Sequence, residues 1–363
     1  MNVNGVSSDR IDIPAELSSL ILSNVRLTGR KIAASGSVEE VEIPGAVCAA
    51  KKIDSEILNG VGSSKNVEDL VSRFVSECRL LSTLRHPHIV QFLGICYLPG
   101  AKLPSLILER LDTNLHDLLE INRDLPLATK QWILLDISRG LLYLHSQSPP
   151  IVHQCLTSRN ILLDCGLRAK ISDVGLARII NHQLSRKNRG AENNIVHIPP
   201  EAMKEHVVFD TSIDIFSFGN IILYIFTQEF LGPNFKPSSC TNPNSSGDSQ
   251  ILSEIERREH AFGVIYRMLG KESALVKLAQ GCLRNDPSDR PSAGELVDRI
   301  SALTSGAKFQ SKVEVMRQLS RAMRKNEQLQ NEISSLQMPT QGPPLHEKQT
   351  KNDLEKRQLL KQV

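Results

Sequence analysis

Along this chain the hydrophobic pattern changes from mainly strand-like to mainly helical. Residues 22–53 are short and strand-like, with turn signals at Gly29, Gly36 and the Pro44-Gly45 pair. Residues 67–84, VEDLVSRFVSECRLLSTL, place Leu70, Val71, Phe74, Leu80, Leu81 and Leu84 at helical spacing. HIVQFLGICYL and LPSLILERL then read as a β-hairpin. From Thr113 to Gln147 the pattern is helical, a short β-rich stretch runs from Ile151 to Ile171, and the remainder to about residue 304 is mostly helical. Strands around one helix, followed by helices, predict an α+β protein of two lobes, a small sheet-based one and a larger helical one.

Composition sets the class. A chain of 363 residues with 40% hydrophobic and 23% charged content builds a substantial core. The net charge of +3, with no compact Lys/Arg stripe carrying aromatics, argues against nucleic acid. Seven cysteines without CxxC spacing argue against a disulfide framework or a zinc site and fit a reducing, cytoplasmic setting. The polar start MNVNGVSSDR is neither a signal peptide nor a myristoylation site, and runs such as IILYIF are too short to span a bilayer. No internal repeat is present.

Several motifs then appear in a fixed order: CAAK at 48–51, LRHPHIV at 84–90, HQCLTSRN at 153–160, SDVGLAR at 172–178, IPPEAM at 198–203, SIDIFSFG at 212–219 and DPSDRPS at 286–292. From about residue 22 to about 304 the chain resembles a eukaryotic protein kinase domain, with an N-lobe over 22–110 and a C-lobe over 111–304. The resemblance implies ATP and Mg2+ as cofactors and the bilobal kinase fold. Taken singly, each motif is weak: Lys51 is also an ordinary strand-end lysine, and Glu77 an ordinary helix charge. The ordered set carries the resemblance.

The resemblance implies a role for each residue. Lys51 would hold the α- and β-phosphates, with Glu77 as its ion-pair partner. Asp173 and Asn160 would be the magnesium ligands, hard oxygen donors of the kind magnesium prefers. Leu108 would be the gatekeeper, Glu109 and Leu111 would offer backbone groups to adenine, and Ala49 and Leu162 would sandwich its ring. Gly36 and Val38 would close the phosphate loop, and Glu201 would pair with Arg290. LTSRN and LRHPHIVQFLGIC lean toward the tyrosine and tyrosine-kinase-like groups.

Three departures matter. Lys31 and Ala33 stand where loop glycines belong, which should loosen phosphate contact. Val174 replaces an aromatic that packs between the lobes, and a gap is expected there. Cys155 replaces the aspartate that accepts the substrate proton. A thiol is a poor acceptor while protonated, and cysteine is a common buried filler. The resulting expectation is a catalytically impaired, ATP-binding pseudokinase in signalling. The alternative is a slow but active kinase acting on Ser/Thr or Tyr of protein substrates. Gln154 stands where an arginine would meet a phosphorylated loop, and residues 176–198 hold no Tyr or Thr and only Ser185. Switching by loop phosphorylation is therefore not expected.

Outside the domain, residues 1–21 are an N-terminal segment and 232–249 read as an exposed loop. Residues 305–338 are a short coiled-coil candidate: Val315, Leu319, Ala322, Asn326, Leu329, Ile333 and Leu336 alternate steps of four and three. Self-association or a partner helix through 312–337 and a helix packed on its own domain are both open. Residues 339–363 read as a flexible tail, and the expected partners are proteins.

Overall fold

The computed structural model describes residues 11, 13–32, 37–52, 64–99, 101–175, 199, 201, 210–228, 247–304 and 328, without the side chains of 64–67 and 247–257. Gly36, Ala33, Ser185, the coiled-coil candidate apart from Gln328, and the tail lie outside the described residues.

The N-lobe is a five-stranded antiparallel sheet with one helix. Its strands are β1 (Arg26–Lys31), β2 (Val38–Ile43), β3 (Ala46–Lys51), β4 (Phe92–Cys96) and β5 (Ser105–Glu109), in the order β1-β2-β3-β5-β4. Helix α1 (Ser64–Thr83) lies between β3 and β4 in the chain. Strand alternation sorts the residues of the sheet. Val41, Cys48, Ala50 and Ile107 face a small apolar cluster with Val25, Cys96 and Leu98. The registers Val38↔Lys51, Ala49↔Leu108 and Lys51↔Leu106 then put Val38, Ala49, Lys51, Leu106 and Leu108 on the opposite face, toward the C-lobe.

The C-lobe begins with β6 (Thr113–Asn114) and α2 (Leu115–Ile121), which Asn114 caps by accepting from Asp117 N at 2.9 Å. The stretch read as one helical run, Thr113–Gln147, is two helices. α2 ends at Ile121, and α3 (Leu127–His145) starts after Pro126, whose fixed φ suits a helix entry. β7 (Ile161–Leu163) and β8 (Ala169–Ile171) complete a three-stranded sheet with β6. Then come α4 (Ser212–Thr227), α5 (Gly247–Leu269), α6 (Ala274–Cys282) and α7 (Ala293–Thr304). Residues 247–249, read as loop, are the first turn of α5. α7 opens with a capping box: Glu295 N donates to Ser292 Oγ, and Ser292 N donates to Glu295 Oε2.

α4 is apolar all round, SIDIFSFGNIILYIFT, and every residue from Ile213 to Thr227 is buried. A helix of that pattern belongs in the middle of a core. α6 and α5 pack on it, while α3 packs on α7 and β8. Arg290 makes the expected bridge to Glu201, at 2.5 and 2.8 Å, and its guanidinium lies over the Phe216 ring at 4.8 Å. The lobes are joined by the loop after α1. Val90 N donates to Ile171 O, and Ile171 N donates to His88 O, both at 2.9 Å.

The six described cysteines are free thiols. Burial pushes Cys78 and Cys282 each up to about 12 from the usual 9.0. Between those values the unfolded chain releases protons that the native state keeps. Their contribution is therefore full below about pH 9 and falls as pH rises, by up to roughly 1.4 kcal/mol per pH unit for each thiol. Urea unfolding is expected to show stability declining from pH 9 to 10.5. Cys282→Ala, though less stable at pH 7, should decline less steeply; an identical slope in the variant would refute the assignment.

Candidate active site

The expected site residues converge on the cleft between the lobes, and the loop at their centre is anchored from below. Asp214, in the first turn of α4, is fully buried. Its carboxylate accepts from His153 N at 2.8 Å, from Gln154 N at 2.9 Å and from His145 Nε2 at 2.8 Å. Those bonds hold the loop where Gln154 takes a left-handed φ of 66°. His153, also buried, ties the loop to the following strand: Nε2 donates to Ser172 O at 2.6 Å, which makes Nδ1 the acceptor of Cys155 N at 3.2 Å. The sequence reading treated SIDIFSFG as structural and missed Asp214 as the loop's anchor. The available signal was a lone carboxylate in an otherwise apolar run, a group that must find partners when buried.

Asn160 and Asp173 stand on either side of this loop. Asn160 Nδ2 donates to Cys155 O at 2.8 Å, so Oδ1 is the atom left to meet a cation. Ser172 N and Oγ both donate to Asn160 O, locking the 3-10 turn Ser158–Asn160 against the strand that leads to Asp173. Asp173 itself has φ 64°, a conformation aspartate tolerates better than most residues but one the surroundings must enforce. Asp173 Oδ2 meets Lys51 Nζ at 2.5 Å. Across the cleft, Glu77 is buried on α1 with its carboxylate against Gly175, where an ideal Cβ would overlap Glu77 Oε2. Lys51 and Glu77, expected to pair with each other, are thus found against Asp173 and Gly175, the first and last residues of the Asp-Val-Gly triplet. An amide oxygen and a carboxylate are donors that fit magnesium, and a lysine ammonium beside them fits phosphate charge.

The adenine side is built from both lobes. Val38 and Ala49, expected above the adenine, lie on β2 and β3, Leu162, expected below it, lies on β7, and Leu111 is buried at the connection. Glu109 N donates to Gln91 O at 2.9 Å. Its side chain, unforeseen in the sequence, accepts twice from Lys170 Nζ at 2.7 Å and from Gln91 N at 2.7 Å. Behind Leu108, the gap expected from Val174 is small. Leu81, Val90, Leu106, Leu108, Ile171 and Val174 enclose about 20 Å³, room for about one water, and Val174 is 3% exposed.

Cys155 occupies the base position. Its Sγ lies 3.8 Å from Asn160 Nδ2. Desolvation first, and then the neighbouring Asp173 charge, push its thiol above the usual 9.0, against partial relief from Lys51 and Asn160. At neutral pH the group is an uncharged thiol.

A sequence profile described as protein tyrosine and serine/threonine kinase matches residues 49–300. The chain belongs to that protein kinase family. The kinase domain is 32% identical over 273 residues to a probable serine/threonine-protein kinase of Dictyostelium discoideum, covering 74% of this chain and 23% of that one. It is 28% identical over 265 residues to serine/threonine-protein kinase 12 of Arabidopsis thaliana, covering 71% and 52%. It is 30% identical over 217 residues to the dual specificity protein kinase shkA of Dictyostelium discoideum, covering 59% and 40%. The chain therefore spans about half or less of the length of these relatives. Their names point to serine/threonine and dual-specificity kinases and do not confirm the expected lean toward the tyrosine and tyrosine-kinase-like groups. Family membership implies ATP and a divalent metal. Among the described residues no helix is long and apolar enough to cross a membrane.

Gly175 offers a direct check of this arrangement. Its φ is 78° and its Cβ position is taken by the Glu77 carboxylate. Gly175→Ala is expected to lose on the order of 1–3 kcal/mol in urea unfolding, from backbone strain and displacement of Glu77. Wild-type stability in that variant would show that the two do not pack as described.

Proposed function

We propose that this kinase domain binds Mg2+-ATP but transfers phosphate poorly, acting in signalling chiefly through binding to protein partners. The observation that carries the reading is the contrast at one loop. Lys51, Asp173 and Asn160 are assembled, whereas the group at the base position is a neutral thiol held above its usual titration range. The metal would sit between Asn160 and Asp173 and supply charge neutralisation for the phosphates. Lys51 would orient those phosphates, Glu77 would steady the Asp-Val-Gly turn through Gly175, and Ala49, Val38 and Leu162 would hold the base, with Glu109 and Leu111 offering backbone groups.

A slow but active kinase is the second reading, because phosphoryl transfer rests mainly on positioning and charge, and those parts are present. One experiment separates the two: incorporation of labelled γ-phosphate by pure protein, with Lys51→Met as the blank and thermal shifts with ATP, with and without magnesium, alongside. The expected result is a magnesium-dependent shift with transfer near the blank. Cys155→Asp is expected to raise transfer on the order of 10²-fold or more, the usual worth of a positioned base. If Cys155→Ala abolishes an activity the wild type shows, the thiol is working and the impaired reading is wrong. No shift at millimolar ATP would remove nucleotide binding from the proposal.

Self-association through residues 312–337 belongs to the same proposal, on the strength of the Val315–Leu336 seam with its central Asn326. Light scattering should show a mass above one chain for the wild type and one chain for Leu329→Asp. Equal masses would leave the segment without that role.

A further inference from the structure

The segment before the sheet lies outside the matched 49–300 region, yet it is built into the N-lobe. Ile11 is clasped at one end: its N donates to Lys102 O at 2.9 Å, and its O accepts from Tyr97 Oη at 2.8 Å. At the other end Ile21 bridges to Ile95 in parallel, and Leu22 N donates to Ile95 O at 2.9 Å. A Cβ at Gly94 would stand 2.6 Å from Leu20 O and 2.8 Å from Leu22 Cγ, so β4 admits the segment only because residue 94 is glycine. Between these ends the 3-10 turn Ala15–Leu20 packs on α1 and β4. Leu17, 1% exposed, joins the core cluster that contains Leu70, Phe74, Val75, Cys78 and Leu81 of α1. Glu16 pairs with Arg79.

The face of α1 that this segment meets is the decisive point. Val71, Val75 and Arg79 fall on one stripe at steps of four, and they line a groove with Ile11 and Pro14. Glu77 is two residues from both Val75 and Arg79, which places it about 200° around the helix. Ile11, Pro14 and Glu16 therefore back α1 on the side opposite Glu77, which is pressed against Gly175 on the cleft side, and Leu17 seats the same segment in the core.

We propose that residues Ile11–Leu22 form a strap that sets α1, and that Leu17 is a positioning residue for Glu77 and so for the nucleotide site. The consequence for ATP rests on the reading given under Proposed function; the hold on α1 does not. With both ends tied to β4 and to the β4–β5 connection, the strap cannot follow α1 outward without breaking main-chain bonds. Without Leu17 in the core the strap is no longer seated between α1 and β4, α1 loses that restraint, and only the fraction of molecules with Glu77 inward retains a competent site.

The test uses the full chain. Calorimetry measures Mg2+-ATP affinity for the wild type, Leu17→Ala, Leu17→Met and, as a control of equal burial in the C-lobe, Leu296→Ala. Amide hydrogen exchange is read separately over α1 and over α4. In Leu17→Ala, the apparent Kd should rise about tenfold if about one molecule in ten keeps α1 in place. Exchange over α1 should quicken while α4 stays protected, and Leu17→Met should return both toward wild type. Leu296→Ala should leave affinity at the wild-type level. Unchanged exchange over α1 in Leu17→Ala, quickened exchange with unchanged affinity, or an equal loss of affinity in Leu296→Ala overturns the proposal. A wild type that binds no nucleotide refutes the nucleotide-site reading instead, and the exchange measurements then decide alone whether the strap holds α1.

Discussion

The carboxylate of Asp214 is the point from which the active-site geometry is built. It is a charge placed in the buried first turn of an apolar core helix, where an unpaired carboxylate would be intolerable. Three donors satisfy it, two of them backbone N–H groups of the catalytic loop. The arrangement works in both directions. α4 keeps a buried charge only because the loop comes to it, and the loop keeps its left-handed turn at Gln154 only because the carboxylate takes its two successive N–H groups. His153 then carries the constraint upward to Ser172 and so to Asp173. A chain of short polar contacts thus runs from the core of the C-lobe to the ion pair with Lys51 in the N-lobe.

The second support is between the lobes. The loop after α1 enters the C-lobe, exchanging backbone hydrogen bonds with β8 through His88, Val90 and Ile171. It comes so close to α3 that Gly140 has no room for a Cβ: one would stand 2.8 Å from His88 O. Glu109 and Lys170 add an ion pair just behind the connection. Lys51 is on the sheet, Glu77 on α1 and Asp173 at the end of β8's strand segment, so their mutual placement depends on this joint.

Much of this was legible in the sequence, and the reasons differ by element. The resemblance carried by CAAK and LILERL named Lys51, Ala49 and Leu108, and the strand register places them on one face, because a strand has only two faces. The Glu201–Arg290 bridge, implied by the resemblance, is present. What escaped the reading depends on tertiary neighbours. The break at Asn122–Pro126 was hidden because apolar spacing continues across it. The use of the Glu109 side chain by Lys170 and Gln91 joins three separate elements. The hold of the N-terminal segment on α1 was invisible because its few apolar residues, Ile11, Ile13, Leu17 and Leu20, show no long period. Gly36, at the weakened phosphate loop, is outside the described residues.

The replacement at Cys155 is informative because of what it leaves undisturbed. Position 155 enters the loop's hydrogen bonding through its backbone: its N–H donates to His153 Nδ1, and its carbonyl accepts from Asn160 Nδ2. Neither bond depends on the side chain. The shorter of the two contacts that Asn160 Nδ2 makes with residue 155, 2.8 Å to the carbonyl against 3.8 Å to Sγ, is therefore the backbone one, and Asp214 fixes the preceding two residues independently. Loss of a carboxylate at this position removes an acceptor for the substrate proton without loosening the residues that would hold metal and phosphate. The thiol that replaces it is pushed further from ionising by the desolvation and the Asp173 charge that the site itself creates. A fold with these couplings can lose proton transfer and nucleotide binding separately.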